Sequence, residues 1–132
     1  MANELEIRSQ IDTENVKALL LINGGGAVAL LAFLPSVLGK PEYAALMRAI
    51  LYGLLLYQFG LLSAVVHNRL RRKCSLVFQA HGYKPPPCSI FGFQLKEPCV
   101  CSASILFMWA SVLFFVASGL LVFCGGIEVL NA

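Results

Sequence analysis

The residues best suited to chemistry in this chain are polar side chains set inside long apolar runs. Asn23 and Gln58 are amides, and Ser104, Ser111 and Ser118 are hydroxyls that recur every seven residues. In a hydrocarbon environment such groups either hydrogen-bond across helices or line a polar path through the membrane. Both interpretations stay open here, because amides and hydroxyls serve either role.

The two amides have similar depth if the runs that carry them are antiparallel helices. At 1.5 Å per residue, Asn23 lies about 8 Å and Gln58 about 12 Å from the same boundary of the apolar region. This geometry allows a hydrogen bond between them, and such bonds contribute about 0.6–2 kcal/mol in membranes. Neither side chain is ionisable, so these two residues do not favour a proton relay.

Catalytic and metal-binding patterns find no support in the sequence. The chain has no His-Glu-x-x-His and no Gly-x-Ser-x-Gly motif. Both histidines, His67 and His81, follow the second apolar run, so we expect no base beside the three serines. The cysteines lack the Cys-x-x-Cys spacing typical of zinc sites. They are Cys74, Cys88, Cys99, Cys101 and Cys124. We predict no catalytic residue, no metal site and no cofactor.

The elements that must position the polar residues are three apolar runs, 18–38, 43–66 and 102–127. Each has the roughly 20 apolar residues that a helix needs to cross a membrane. Helices and closed barrels satisfy all backbone groups in lipid. The composition agrees, with 58% hydrophobic residues, 13% charged residues and a mean hydropathy of +0.77. The sequence therefore predicts an all-α integral membrane protein with three transmembrane helices.

The polar remainder is too short for a further domain of ordinary size, so we predict one membrane domain over 1–132. Segment 1–17 is expected to be a cytoplasmic helix that runs into the first span. Segment 67–101 is expected to be a basic extension of the second helix followed by a loop, with the extension ending near His81-Gly82. Because the first segment is rich in acids and the second in bases, the two extensions can pair through opposite charges. Gly39-Lys40-Pro41 is expected to make the turn between the first two spans.

The distribution of basic residues predicts the orientation. Eight basic residues lie in the N-terminal segment and second loop, against two at the first loop and none at the C-terminus. This bias predicts a cytoplasmic N-terminus and second loop, and a C-terminus on the outer side of the membrane. The cytoplasm keeps thiols reduced, so we expect no disulfide. The net charge of +3 reflects this topology and does not indicate a nucleic-acid partner.

Small residues mark the faces on which the helices are expected to pack. In the third span, small pairs recur every seven residues, which keeps one stripe facing one partner. That partner is either the chain's own helices or another copy. In the first two spans, the small residues allow close backbone approach. The predicted packing residues are Gly24, Gly25, Gly26, Ala29, Gly53, Gly60, Ala64, Ala103, Ala110, Ala117 and Gly125.

A basic cluster follows the second span, made of Arg69, Arg71, Arg72 and Lys73. It acts as a topology signal and contacts anionic lipid, in the simplest interpretation. Clustered arginines also suit a phosphorylated, nucleotide-like cytosolic ligand. A docking surface for a protein regulator is the third interpretation.

The segment 19–34, which reads Leu-Leu-Leu-Ile-Asn-Gly-Gly-Gly-Ala-Val-Ala-Leu-Leu-Ala-Phe-Leu, carries a resemblance. It resembles the first span of small, uncharacterised bacterial three-span membrane proteins, in which Ala is usual where Gly26 stands. The resemblance implies a bacterial inner membrane and a three-helix layout, and it brings no catalytic residues. Some small proteins of this general kind look like the membrane effectors of toxin or anti-phage systems.

These features together predict a homo-oligomeric membrane effector that forms or gates an ion-conducting pore. Three helices are too few to enclose a hydrated path, whereas several copies are enough. Control by a cytosolic ligand or a partner protein fits the basic cluster. The alternative is a non-conducting accessory or scaffold subunit of a larger membrane complex.

Overall fold

The structure, a computed structural model, describes residues 2–80, 88–90, 93–95 and 99–130. Three helices in it are long and apolar enough to cross a membrane, which confirms the all-α membrane class. The elements in chain order are helix α1 (Ala2–Val37), a single 3₁₀ turn (Pro41–Tyr43), helix α2 (Ala44–Ala80), strands β1 (Cys88–Ile90) and β2 (Phe93–Leu95), and helix α3 (Cys99–Leu130).

All three helices are longer than the hydrocarbon core of a membrane is thick. α2 has 37 residues and is therefore about 55 Å long at 1.5 Å per residue. A hydrocarbon core of about 30 Å leaves a good part of it outside the apolar layer. α1 likewise continues from the N-terminal segment into the first span without a break. Both predicted extensions are thus helical, although the predicted end of α2 at His81-Gly82 lies outside the described residues.

The turn between α1 and α2 follows the Gly-Lys-Pro signal. α1 continues past Pro35 and ends at Val37. Gly39 then has a φ of 77°, a conformation that favours glycine. Pro41 opens the 3₁₀ turn, where its missing N–H costs nothing. The predicted turn is therefore confirmed.

A short hairpin lies in the segment predicted as a loop. β1 and β2 pair antiparallel, with Cys88 opposite Leu95, Ser89 opposite Gln94 and Ile90 opposite Phe93. The sequence analysis missed these strands because three residues are too few to show an alternating pattern.

α2 is the central helix of the bundle. It packs along α3 and against α1, while α1 and α3 touch each other little. The fully buried side chains include Asn23, Ile50 and Ala64. Large apolar side chains point outward instead, among them Leu21, Leu62, Leu106, Trp109 and Phe123. This arrangement suits lipid, because the bundle is held by close packing and internal hydrogen bonds and not by exclusion of water.

Candidate functional site

Serine hydroxyls of α3 bond to backbone carbonyls of α2 in three evenly spaced layers, which we call the serine ladder. Successive layers are seven residues apart on both antiparallel helices. The three bonds are Ser118 Oγ to Gly53 O at 3.0 Å, Ser111 Oγ to Gly60 O at 2.9 Å and Ser104 Oγ to His67 O at 3.3 Å. All three serines are fully buried.

The spacing of the ladder follows from helix geometry. Two helices that coil around each other with a left-handed twist meet again every seven residues. A serine at each of these positions is small enough for close approach and carries a hydroxyl that a carbonyl can accept. The seven-residue stripe of α3 therefore packs on α2 of the same chain. Of the accompanying alanines, Ala103 and Ala110 are half-buried and Ala117 is exposed.

Glycines on α2 and α3 allow the helices to come this close. A Cβ at Gly53 would lie 3.0 Å from Ser118 Oγ. A Cβ at Gly125 would lie 2.6 Å from the Cβ of Ala49, at the far end of the ladder. Ala64 is fully buried on the same helix. These positions, which the sequence pattern singled out, are in close contact in the structure.

Asn23 joins the three helices at the middle layer of the ladder. Its Nδ2 donates to Leu19 O at 3.0 Å and to Ser111 Oγ at 3.1 Å. Ser111 in turn donates to Gly60 O, so a chain of hydrogen bonds runs from α1 through α3 to α2. Asn23 Oδ1 is buried, has no hydrogen-bond partner among the described residues, and lies where a Cβ of Gly60 would be. The amide thus fills the space that the missing glycine side chain leaves.

Gln58 does not pair with Asn23, although matching depth allowed a hydrogen bond between them. Its side chain is exposed, together with those of Leu55 and Leu62 on the same face of α2. Gln58 is two residues from Gly60, which is about 200° around the helix. Matching depth placed the two amides at one level, but the rotation of α2 turns Gln58 away from α1.

His67 lies beside Ser104, contrary to the expectation that no base would approach the serines. α2 continues straight past the predicted span, so its next ladder position after Gly60 is His67. The ring Nδ1 is 2.7 Å from Ser104 O and 2.9 Å from Ser104 Oγ. A carbonyl oxygen only accepts, so Nδ1 carries the proton. The Ser104 hydroxyl therefore donates to His67 O, and the ring does not activate it as a nucleophile.

The three consecutive glycines of α1 have different surroundings. Gly26 lies against the ring of Tyr57, and a Cβ at Gly24 would be 3.9 Å from a methyl group of Leu61. A Cβ at Gly25 would meet no atom of the described residues within 4 Å, and Gly25 and Ala29 are exposed. The face with Gly25 and Ala29 therefore points away from this chain's own helices.

The extensions of α1 and α2 pair through opposite charges, as the sequence analysis allowed. Arg71 Nε lies 2.8 Å from Asp12 Oδ2, and both side chains are partly buried. Arg69, Arg72 and Lys73 are exposed. An ion pair of this kind contributes about 0–1 kcal/mol. The rest of the basic cluster therefore stays exposed and unshielded by α1.

A pair of cysteines lies beyond the Ser104 layer of the serine ladder, at the end of the bundle that carries the basic cluster. Cys74 and Cys101 form a disulfide with a Cα–Cα distance of 5.3 Å, so the expectation of no disulfide is wrong. The positions are 27 residues apart in the chain, and only the packing of α2 on α3 brings them together. Cys124 is a free, exposed cysteine. Among the described residues, no group of three or more His, Cys, Asp or Glu side chains could hold a metal ion.

Buried hydrogen bonds hold the three helices of one chain together. The amide of Gln58 and the basic cluster lie on the outside of this bundle. Comparisons with known proteins found no family model, no curated protein and no solved structure that matches this chain.

Proposed function

We propose that several copies of this protein assemble in the bacterial inner membrane and form or gate an ion-conducting pore, without enzymatic activity. The observation that carries this proposal is an exposed stripe along α2, which we call the α2 seam. Its members are spaced four, three, four and three residues apart and are all exposed. They are Leu51, Leu55, Gln58, Leu62 and Val65.

The α2 seam has the pattern of a helix–helix interface with one polar position. Spacing of four and three residues keeps a stripe on one side of two coiled helices, and a single amide in such a stripe specifies register. An amide in lipid gains by finding a partner, which is worth about 1–2 kcal/mol in model membrane peptides. A carboxamide both donates and accepts, so Gln58 of one copy can bond to Gln58 of another. A second copy is therefore the occupant that suits this face.

The interior of a single copy is filled, which favours a pore between copies over a pore within one copy. The space between α1, α2 and α3 is filled at Asn23 and the three ladder serines, all with no exposed surface. A hydrated path would then form where copies meet, and a ring of Gln58 amides would supply polar groups at mid-membrane. The small face of α1 at Gly25 and Ala29 offers a second surface to the neighbouring copy.

Continuation of the α2 seam suggests how a cytosolic ligand or partner would control assembly. The same four-and-three spacing beyond Val65 reaches Arg69 and Arg72, which are exposed. Copies that meet along the seam bring these like charges together, which opposes association. A phosphorylated ligand or an acidic protein that binds there would remove this repulsion.

The experiment is a measurement of oligomeric mass in lipid nanodiscs together with ion flux in liposomes made from the same preparation. We expect a closed oligomer that conducts, either alone or after a cytosolic ligand is added. Gln58→Leu should shift association toward the monomer by about tenfold, since one amide pair is worth about 1.4 kcal/mol. Gln58→Asn keeps the amide and is the matched control. A wild-type monomer without flux, or a Gln58→Leu variant with unchanged mass, would contradict the proposal.

The exposed small face of α1 also favours a second candidate, a non-conducting accessory or scaffold subunit. Gly25 and Ala29 would then pack against a helix of a larger membrane partner. This alternative predicts no flux from the purified protein and stable co-purification of that partner. Gly25→Leu would release the partner but leave the monomer folded, because Gly25 has open space around it.

A further inference from the structure

The disulfide between Cys74 and Cys101 continues the contact between α2 and α3 beyond the serine ladder. Cys74 is seven residues after His67, and Cys101 is one helical turn before Ser104. Both residues are nearly buried, with 4% and 2% of their surface exposed. The pair therefore ties the end of α2 that carries the basic cluster to the start of α3.

The charge distribution indicates a reducing compartment for this end of the bundle, whereas the disulfide indicates an oxidising one. The excess of basic residues assigns it to the cytoplasm, where thiols are held reduced. A well-placed pair in a reducing compartment is a disulfide only when an oxidant acts on it. We propose that Cys74 and Cys101 are a redox-responsive staple between α2 and α3, oxidised by partners of the thiol–disulfide exchange class. This inference rests on the proposed orientation and is independent of pore formation.

The exchange balances in two steps. One of the two thiolates attacks a sulfur of the oxidant's disulfide, which forms a mixed disulfide and releases the oxidant's first thiol. The second protein thiolate then attacks the protein sulfur of the mixed disulfide and releases the oxidant's second thiol. In total the protein loses two electrons and two protons, and the oxidant's disulfide becomes two thiols. Reduction runs through the same steps in reverse.

Burial of the pair determines what the staple controls. An exchange partner reaches the sulfurs only when the end of α2 separates from α3, because neither cysteine is accessible in the closed form. The oxidised form therefore prevents this separation. In the dithiol form, the segment with Arg69, Arg72 and Lys73 is free to move away from α3 by local opening.

The test uses the full chain in lipid nanodiscs with Cys88, Cys99 and Cys124 changed to Ser, so that only the pair remains. After oxidised glutathione, a maleimide–polyethylene glycol added to the denatured protein should label no thiol, and after dithiothreitol two. Trypsin cleavage within the basic cluster should be about tenfold slower in the oxidised form. Cys74→Ser in the same background should be cleaved quickly under both conditions.

The same variant is then followed in growing cells by acid quenching and alkylation. We expect free thiols in unstressed cells and a disulfide within minutes of adding diamide, which raises the level of small disulfides. A pair that stays oxidised in unstressed cells would overturn the redox response and the orientation on which it rests. Failure to form the disulfide with oxidised glutathione, or equal cleavage in both forms, would also overturn it. Oligomeric mass and flux, measured separately, report on the pore.

Discussion

At the scale of single residues, the contact between Asn23 and Gly60 decides how closely α1 and α2 approach. The amide oxygen lies in the space where any other residue at position 60 would place its Cβ. The amide nitrogen is held by Leu19 O and Ser111 Oγ, so the side chain cannot turn aside without losing two hydrogen bonds. Glycine at this position is therefore a packing requirement, since no helix propensity favours it.

We expect Gly60→Ala to lower the free energy of unfolding by about 1–3 kcal/mol, the range for overpacking a filled site. The measurement is unfolding by sodium dodecyl sulfate in mixed micelles, followed by circular dichroism. Gly119→Ala is the control, because a Cβ there meets no described atom within 4 Å. It should leave stability unchanged or raise it by up to about 1 kcal/mol, the difference in helix propensity between Gly and Ala. Equal effects of the two substitutions would show that the contact with Asn23 has no energetic role.

Asn23 and Ser111 offer a pair whose coupling can be measured directly. A double-mutant cycle with Asn23→Ala and Ser111→Ala should give a coupling of about 0.6 kcal/mol, and at most about 1.7 kcal/mol. Each change removes two hydrogen bonds, but Asn23→Ala alone should cost more than Ser111→Ala because it leaves the larger cavity. A coupling of zero would mean that the two side chains do not interact in the folded bundle. Loss of flux without loss of stability would instead place Asn23 in a conducting path.

At the scale of the elements, the serine ladder sets the register of α2 on α3. Each layer provides only a modest bond, but the layers repeat with the period at which the helices meet. A slip of one residue would turn every hydroxyl away from its carbonyl. The ladder therefore favours one register over its neighbours by the sum of its bonds.

Replacing Ser104, Ser111 and Ser118 with Ala should destabilise the bundle by about 2.4 kcal/mol, at about 0.6 kcal/mol for each of the three bonds to α2 and for the bond that Ser111 accepts from Asn23. The single substitutions should add, because the layers are about 10 Å apart along the helix. Ser36→Ala is the control, since Ser36 bonds to Phe33 O within its own helix. Unfolding in mixed micelles measures the triple variant, the three single variants and the control. If the triple variant is as stable as the wild type, the serine ladder does not determine the register of α2 on α3.

At the scale of the whole molecule, the long ends of α1 and α2 leave the membrane on the same side. The ion pair between Asp12 and Arg71 holds them together there, and the staple ties α2 to α3 at the same end. The opposite end, with Glu128 near the end of α3, carries little basic charge. This asymmetry is what orients the proposed assembly.

Orientation can be measured with single cysteines introduced into a cysteine-free chain. We expect Glu128→Cys to react with a membrane-impermeant maleimide in intact cells, because the periplasm is accessible to the reagent. Asn15→Cys should react only after the inner membrane is permeabilised. The opposite pattern would contradict the positive-inside assignment and, with it, the cytoplasmic position of the basic cluster.

The exposed arginines permit a test of ligand control on the assembled protein. Replacing Arg69 and Arg72 with Gln removes the charges that the α2 seam would bring together, and spares the Asp12–Arg71 pair. We expect stronger association of the variant without ligand, and loss of any response of mass or flux to a cytosolic phosphorylated compound. A response that survives the substitution would show that the ligand binds elsewhere.

The sequence by itself determined the membrane class, the three spans, the helical extensions and the turn at Gly39. These follow from length, hydropathy and backbone preferences, which act locally along the chain. The seven-residue repeat of serines also marked one stripe of α3 as a packing face, since its period is a property of a single helix.

Only the tertiary structure decided which faces meet. The rotations of α1 and α3 pair Asn23 with Ser111. The rotation of α2 turns Gln58 outward and brings His67 to Ser104. Periodicity in one helix does not specify the rotation of its neighbour. Cys74 and Cys101 likewise come together only because α2 continues beyond the apolar run along α3. Hydropathy places residues at a depth in the membrane, but contacts also depend on the angle around each helix, and packing alone determines that angle.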